Sequence, residues 1–168
     1  MIKVRFGLIA LALLSFAACT TDSISDAKYK ASVARADEDY MLALRNCEQL
    51  AGDARSLCRT EAKVNKTKTI AASKADNLGT AAALTQAEYD QANADLTLEE
   101  ERCNTFGGDA KTACLAKARA AHAETTAAIK AKANKEEADW KVATAQCAEL
   151  AGTYRSTCMA EARAKFGR

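Results

Sequence analysis

The segment Cys47-Glu-Gln-Leu-Ala-Gly-Asp-Ala-Arg-Ser-Leu-Cys58 decides the fold, because the chain contains three versions of it. It returns as Cys103-Asn-Thr-Phe-Gly-Gly-Asp-Ala-Lys-Thr-Ala-Cys114 and as Cys147-Ala-Glu-Leu-Ala-Gly-Thr-Tyr-Arg-Ser-Thr-Cys158. All three share two cysteines at the same spacing, a central glycine, and a cation followed by a hydroxyl residue. So many matching positions identify an internal repeat.

The glycine at the centre of each copy predicts a tight turn between two helices. Glycine just past a helix end adopts the left-handed conformation that satisfies the last carbonyl groups. An aspartate or threonine follows directly, and such side chains cap the first amides of a new helix. We therefore expect each copy to fold as helix, turn, helix, with the pairs Gly52 and Asp53, Gly108 and Asp109, and Gly152 and Thr153 at its centre.

The two cysteines of each copy flank this turn symmetrically, which predicts how they pair. In an antiparallel helical hairpin, residues equidistant from the turn face each other. Helix axes about 8–10 Å apart then bring the facing Cα atoms within disulfide range. We predict the disulfides Cys47–Cys58, Cys103–Cys114 and Cys147–Cys158.

The composition predicts an all-α protein with little conventional core. Alanine is the most frequent residue, proline is absent, and most other residues are strong helix formers. Because bulky apolar residues are few, the helices benefit from covalent cross-links. We expect disulfide-stapled antiparallel helical hairpins, arranged either as an elongated rod or as an up-down bundle with the first and third turns at one end.

The first residues of the chain are typical of an export signal. Lys3 and Arg5 precede an apolar run, Phe6 to Ala18, that is too short to span a membrane but fits a signal peptide over residues 1–18. The run ends in Ala17-Ala18-Cys19, which resembles the lipobox of bacterial lipoproteins. That resemblance implies a lipid on Cys19, and Thr20 after it implies the outer membrane. The alternative is an ordinary signal peptide that releases a soluble periplasmic protein.

Cysteine parity supports lipidation independently of the lipobox. The chain has seven cysteines, six of them in the repeats, so one is left over at Cys19. An odd cysteine in an exported protein needs an explanation, and lipidation supplies one. We expect a lipidated tether over residues 19–25, followed by a helical domain over 26–168 that contains repeats at about 37–63, 93–119 and 137–163.

The sequence also predicts where the helices begin and end. We expect the first helix to begin near Asp26 and to end at Leu50. Asp76-Asn-Leu-Gly79 predicts a stop after the second helix, and Thr80 predicts a restart. Residues 109–150 contain neither glycine nor proline, so they can form a single long helix, with Asn134 as a candidate break.

Each repeat also resembles those of uncharacterised proteobacterial exported proteins that carry Cys-x10-Cys units in Ala/Lys-rich helices. The resemblance covers about residues 37–165. It implies compartment and architecture, and it carries no activity.

Residues that could bind a ligand are sparse. Tyr40, Leu96 and Trp140 lie at the same repeat position, where they close the seam between two helices or, alternatively, form a ligand platform. A protein that binds a small molecule or metal would use the region of Tyr40, Trp140 and His122. In the bundle arrangement, four cysteines at one end could bind zinc instead of forming disulfides: Cys47, Cys58, Cys147 and Cys158.

These patterns predict a protein without catalytic activity and without a cofactor. The net charge of +2 comes from Lys3 and Arg5, so the rest of the chain is neutral and unsuited to nucleic acid. Neither a phosphate-binding loop nor a nucleophile elbow is present. We expect a structural or protein-interaction lipoprotein of the bacterial envelope, facing the periplasm, that binds the membrane through Cys19 and also binds envelope proteins. The alternative is a periplasmic protein that binds a small molecule or metal.

Overall fold

The computed structural model describes the backbone of residues 18–168 and the side chains of residues 25–168. The predicted signal peptide, apart from the backbone of Ala18, and the Cys19 side chain lie outside the described residues. The described part folds into helices without strands, which confirms the all-α prediction. The helices are α1 (Ala18–Cys47), α2 (Gly52–Leu78), α3 (Ala81–Cys103), α4 (Gly108–Ala148) and α5 (Gly152–Phe166).

The helices form successive antiparallel hairpins. Each packs on its neighbour in sequence: α1 on α2, α2 on α3, α3 on α4, and α4 on α5. The first helix begins at Ala18, about eight residues earlier than predicted, so residues 19–25 continue the helix. No glycine or proline interrupts residues 18–47, and nothing in that stretch forces the helix to start later.

The turn between α2 and α3 is a further reversal of the chain, in addition to the three reversals at the disulfide turns. Gly79 adopts φ 60°, and its amide donates to Ala75 O at 2.8 Å. Thr80 then caps α3 by accepting a hydrogen bond from the Ala83 amide at 3.2 Å. This confirms the predicted stop and restart. It also places the first two disulfide turns at the same end of the molecule and the third at the opposite end.

The predicted packing of the helices as a bundle is confirmed, but the expectation that the first and third turns share one end is wrong. Ser56 and Glu101, which lie close to the first and second disulfide turns, are hydrogen-bonded to each other. The helices α1 to α4 nevertheless alternate in direction and pack as a bundle. The break at Gly79 is a complete reversal of the chain, so the third disulfide turn lies at the end opposite the first.

The long helix α4 extends past the other helices. Its 41 residues correspond to about 62 Å. Lys132 pairs with Glu88 near the start of α3, so the part of α4 beyond Glu136 has no α3 beside it. There α5 folds back along α4, and its end meets the start of α3, where the Ala81 amide donates to Gly167 O at 3.2 Å. We call this projecting hairpin, residues 137–166, the arm.

The core consists mostly of alanines because the helices approach closely. Ala71, Ala75 and Ala87 form a buried cluster between α2 and α3, with exposures of 7%, 2% and 6%. Val64 is a larger buried residue on the same helix. Small side chains let two helices pack at short distance, and they leave little apolar volume to stabilise each contact.

The turn glycines have the predicted conformation but a different position. Gly52, Gly108 and Gly152 have φ values of 54°, 54° and 57°. Each is the first residue of the second helix, whereas the first helices end at Cys47, Cys103 and Ala148. The N-cap of each second helix is the extended residue before the glycine, namely Ala51, Gly107 or Ala151, and it forms no side-chain hydrogen bond. The prediction that the residue after each glycine caps the helix was therefore wrong.

Adjacent glycines in the second repeat give a matched test of this turn. Gly108→Ala should lower the free energy of unfolding by about 1 kcal/mol, because a non-glycine residue is strained at positive φ. No atom lies within 4 Å of the position that its Cβ would occupy, so the cost comes from the backbone alone. Gly107→Ala, at φ −114° with the same open space, should be neutral or slightly stabilising. Urea unfolding without reductant measures the free energy of unfolding of both variants. Equal losses of stability would contradict the assignment of positive φ to Gly108 alone.

Candidate functional site

The three disulfide hairpins are the chemically distinctive feature of the chain. The bonds are Cys47–Cys58, Cys103–Cys114 and Cys147–Cys158, which confirms the predicted pairing. Their Cα atoms lie 5.6, 5.5 and 5.5 Å apart, within the range that a disulfide spans. The first cysteine of each pair is the most buried large side chain of its hairpin, at 0%, 0% and 1% exposure for Cys47, Cys103 and Cys147.

The zinc alternative does not fit this arrangement. Cys147 and Cys158 lie in the arm, at the opposite end of the molecule from Cys47 and Cys58. Each pair is also closed as a disulfide, so its sulfurs are not available as thiolate ligands. Among the side chains that the structure describes, no group of three or more metal-ligating residues comes together.

An arginine after the turn closes the first and third hairpins, and sequence reasoning did not assign it this role. Arg55 donates from Nε to Leu50 O at 2.6 Å and from a terminal nitrogen to Glu48 O at 3.3 Å. Arg155 donates in the same way to Ala148 O. The guanidinium satisfies carbonyls of the turn in the first hairpin and the last carbonyl of α4 in the third. The signal was present in the sequence as the cation that recurs in every copy.

The aromatic residues of the repeat close the seam of their own hairpins. Lys66 of α2 lies over the ring of Tyr40 of α1, 5.1 Å from its centroid. In the arm, Trp140 packs edge-to-face against Phe166 at 5.9 Å, and Arg168 covers the indole at 5.6 Å. Cation–π and edge-to-face contacts of this kind stabilise the pairing of two helices.

The structure does not gather the proposed ligand platform into one site. Tyr40 lies in the first hairpin, Leu96 in the second and Trp140 in the arm. His122 of α4 is hydrogen-bonded through Nε2 to Asn93 of α3 at 2.9 Å, beside a groove that Leu96 also lines. Only Leu96 and His122 therefore share a surface.

Grooves between neighbouring helices are open to solvent. A groove of about 520 Å³ lies between the start of α1 and the end of α2, where Tyr29 faces Asp76 and Asn77. The Asn77 Oδ1 atom is buried there without a hydrogen-bond partner. A second groove, of about 350 Å³, carries the cations Arg55, Arg59 and Lys63 beside Tyr40.

Polar contacts join the first hairpin to the second across α2 and α3. Besides Ser56 and Glu101, Arg102 forms an ion pair with Glu61 at 3.5 Å, and Lys68 forms one with Asp95. The Ser56 hydroxyl, followed by the Asn104 amide, holds the pKa of Glu101 below its ordinary value because both donate to the carboxylate. Among the described helices, this interface between α2 and α3 joins the first repeat to the second.

The Glu101 contact predicts a pH-dependent contribution to stability. Because its pKa is lowered on folding, the carboxylate stabilises the fold above its ordinary value of 4.5, and this contribution is lost as the pH falls through the lower folded value. Ser56→Ala should therefore cost about 0.5 kcal/mol at neutral pH and almost nothing in strong acid. Thermal unfolding of both proteins across this range measures the difference. If Ser56→Ala lowered the stability equally at neutral and at acidic pH, the role given to the Ser56–Glu101 hydrogen bond would be wrong.

Comparison with known proteins identified no relative of this chain. None of the described helices has the length and hydropathy that a membrane span requires. Comparison with protein-family models, with curated protein sequences and with solved structures found no match to this chain.

Proposed function

We propose that this protein is an envelope-anchored lipoprotein with a structural or protein-interaction role and no catalytic activity. The observation that carries the proposal is the pairing of the cysteines. Six of the seven close the three hairpins, and the seventh is Cys19, in a lipobox-like setting at the end of an apolar leader. Lipidation gives that remaining cysteine a chemical role.

The disulfides support export. Such bonds form and persist in oxidising compartments and are rare in reducing ones. Three of them in a chain with a sparse alanine core fit a protein that folds outside the cytoplasm. The residue after the cysteine, Thr20, favours retention at the outer membrane by resemblance to Gram-negative lipoproteins, with the helical domain facing the periplasm.

The shape supports a role in contacts rather than chemistry. The 41-residue helix α4 carries the arm past α3, at the end of the molecule where α1 begins, and apolar side chains remain exposed along the helices, among them Met41 at 53% and Leu84 at 50%. Exposed apolar residues on long helix faces are suited to partner proteins of the envelope.

Replacing Cys19 tests the anchor. Cys19→Ser should abolish incorporation of labelled palmitate and move the protein from the membrane fraction to the soluble periplasmic fraction, because an acylated N-terminus is what holds the chain on the bilayer. Ser23→Ala, four residues away, is the matched control and should keep both properties. Unchanged membrane association of the Cys19→Ser protein would overturn the proposal. Crosslinking in intact cells, followed by mass spectrometry, then identifies the partner.

A further inference from the structure

The first helix extends beyond the bundle at the end where it begins. Tyr29 of α1 faces Asp76 near the end of α2, so the end of α2 is level with Ala27. From Ala27, α1 continues outward without interruption. The backbone of Cys19, eight residues earlier on the same helix, therefore lies about 12 Å beyond the end of α2.

The arm extends beyond the same end, and it extends farther. The part of α4 beyond Glu136 has no α3 beside it, and α4 continues from there to Ala148, which lies twelve residues later, or about 18 Å. We call residues 149–155, which join α4 to α5 and begin α5, the tip of the arm. The tip lies about 6 Å farther out than the backbone of Cys19.

This difference in height matches the dimensions of a bilayer. A lipid on Cys19 would hold its backbone at the membrane surface, because the acyl chains occupy the hydrocarbon core. No flexible linker separates that point from the bundle, since α1 is continuous from Ala18 to Cys47. The headgroup region on one side of a bilayer is about 5–7 Å thick. The tip therefore reaches into the headgroup region.

The side chains of the tip suit that region. Tyr154 is 78% exposed, the highest value among the large apolar side chains of the described residues, and Leu150 is 44% exposed. An aromatic ring that carries a hydroxyl is favoured at the boundary between headgroups and hydrocarbon. Leucine side chains of interfacial helices are buried at the same boundary.

The tyrosine is specific to this end of the molecule. At the same repeat position, the first and second disulfide turns carry Ala54 and Ala110, and both of these turns lie at the opposite end. The position of Leu150 is apolar in all three copies, so the aromatic residue is what distinguishes the tip. Glu149 and Arg155 balance in charge, so the tip approaches a lipid surface without net repulsion.

We propose that the tip of the arm rests in the headgroup layer of the membrane that holds Cys19. The contact requires the lipid on Cys19 and therefore rests on the proposed function. Helix α1 packs on α2 and the arm continues from α4 beside α3, so the two points of attachment are laterally separated. Together they hold the bundle upright, with the first two disulfide turns away from the bilayer. The lipid supplies most of the affinity, and the tip supplies the orientation.

Tryptophan fluorescence in lipid vesicles tests the contact. The full-length lipidated protein is reconstituted in vesicles of phosphatidylethanolamine and phosphatidylglycerol, with or without brominated acyl chains, which quench an indole nearby. Trp140→Phe removes the native tryptophan and keeps an aromatic ring against Phe166. In this background, the emission of the Tyr154→Trp protein should fall about twofold in brominated vesicles, because side chains at the headgroup boundary lie close to the acyl chains.

Ala110→Trp in the same background is the matched control. It occupies the same repeat position at the opposite end of the molecule, so its emission should not change. Quenching of both probes would show a molecule that lies flat on the membrane, and quenching of neither in vesicle-bound protein would show an arm clear of it. Either result would overturn the contact and leave the lipid anchor intact. Protein that failed to sediment with the vesicles would overturn the proposed function, and the contact with it.

A charge at the tip then tests whether its side chains bind the membrane. Leu150→Glu brings a second carboxylate into the headgroup layer, where losing water is costly. The quenching of the Tyr154→Trp probe should fall to the level of the control, while the protein still sediments with the vesicles. Phe106→Glu, at the same repeat position in the second turn, should leave the quenching unchanged. Equal quenching with and without Leu150→Glu would overturn the role of the tip.

Discussion

Replacing Cys147 and Cys158 with alanine should release the arm while the rest of the molecule stays folded. A disulfide that closes a loop of this length contributes about 3 kcal/mol. The helix that it holds, α5, has 15 residues and packs mainly on α4. An isolated helix of that length is marginal in water. Amide hydrogen exchange should therefore accelerate about 100-fold over residues 152–166 and change little over α2 and α3.

The second disulfide supplies the matched control. Replacing Cys103 and Cys114 with alanine removes a bond of the same loop length, with the same Cα separation as the third. Its two helices have other supports, since α3 also packs on α2 and the pairs Arg119–Glu100 and Lys132–Glu88 join α3 to α4. Unfolding should then occur at lower urea concentration as a single transition. An arm that stays protected without its disulfide would contradict the view that the bond holds α5 in place.

Enlarging a residue in the alanine cluster should have the second large effect. Ala75→Leu places three extra carbon atoms where α2 and α3 leave 2% exposure. Overpacking of a tight core costs about 1–3 kcal/mol, because the helices must separate or the side chain must leave its preferred rotamer. For a domain of this size, the melting temperature should fall by about 2–12 °C.

The matched control is the same substitution on an open surface. Ala128 of α4 is exposed, so Ala128→Leu adds the same atoms without a facing helix. Its melting temperature should stay close to that of the unaltered protein, because leucine and alanine are both good helix formers. If Ala75→Leu were equally harmless, close packing of small residues would not be what joins α2 to α3.

Local patterns predicted the hairpins because the decisive residues lie close together in sequence. Two cysteines equidistant from a glycine determine their own pairing once both flanks are helical. The stop at Gly79 and the cap at Thr80 were equally local. The position of the turn glycine was missed because positive φ occurs at the start of a helix as well as at its end. Only the backbone path shows which of the two applies.

The role of Arg55 was missed for a related reason. A recurring cation at a turn signals a function, but the sequence does not say whether it pairs with a carboxylate or satisfies carbonyls. In the structure, it donates to carbonyls of Glu48 and Leu50 in the turn after α1. Likewise, Tyr40, Leu96 and Trp140 share a repeat position, and only the structure shows that the packing of their hairpins does not bring them together in one site.

The sequence by itself determined the helical content, the three disulfide pairs and the turns, since each depends on residues that lie no more than 11 positions apart in the chain. Tertiary structure alone decided which hairpins lie side by side, which end each disulfide occupies, and that the arm projects without cover. These features depend on contacts between residues far apart in the chain, such as Lys68 with Asp95 and Ala81 with Gly167. Alanine faces of nearly uniform shape fit many partners, so the pairing of helices follows from the reversal at Gly79 and a few charges rather than from hydrophobic pattern.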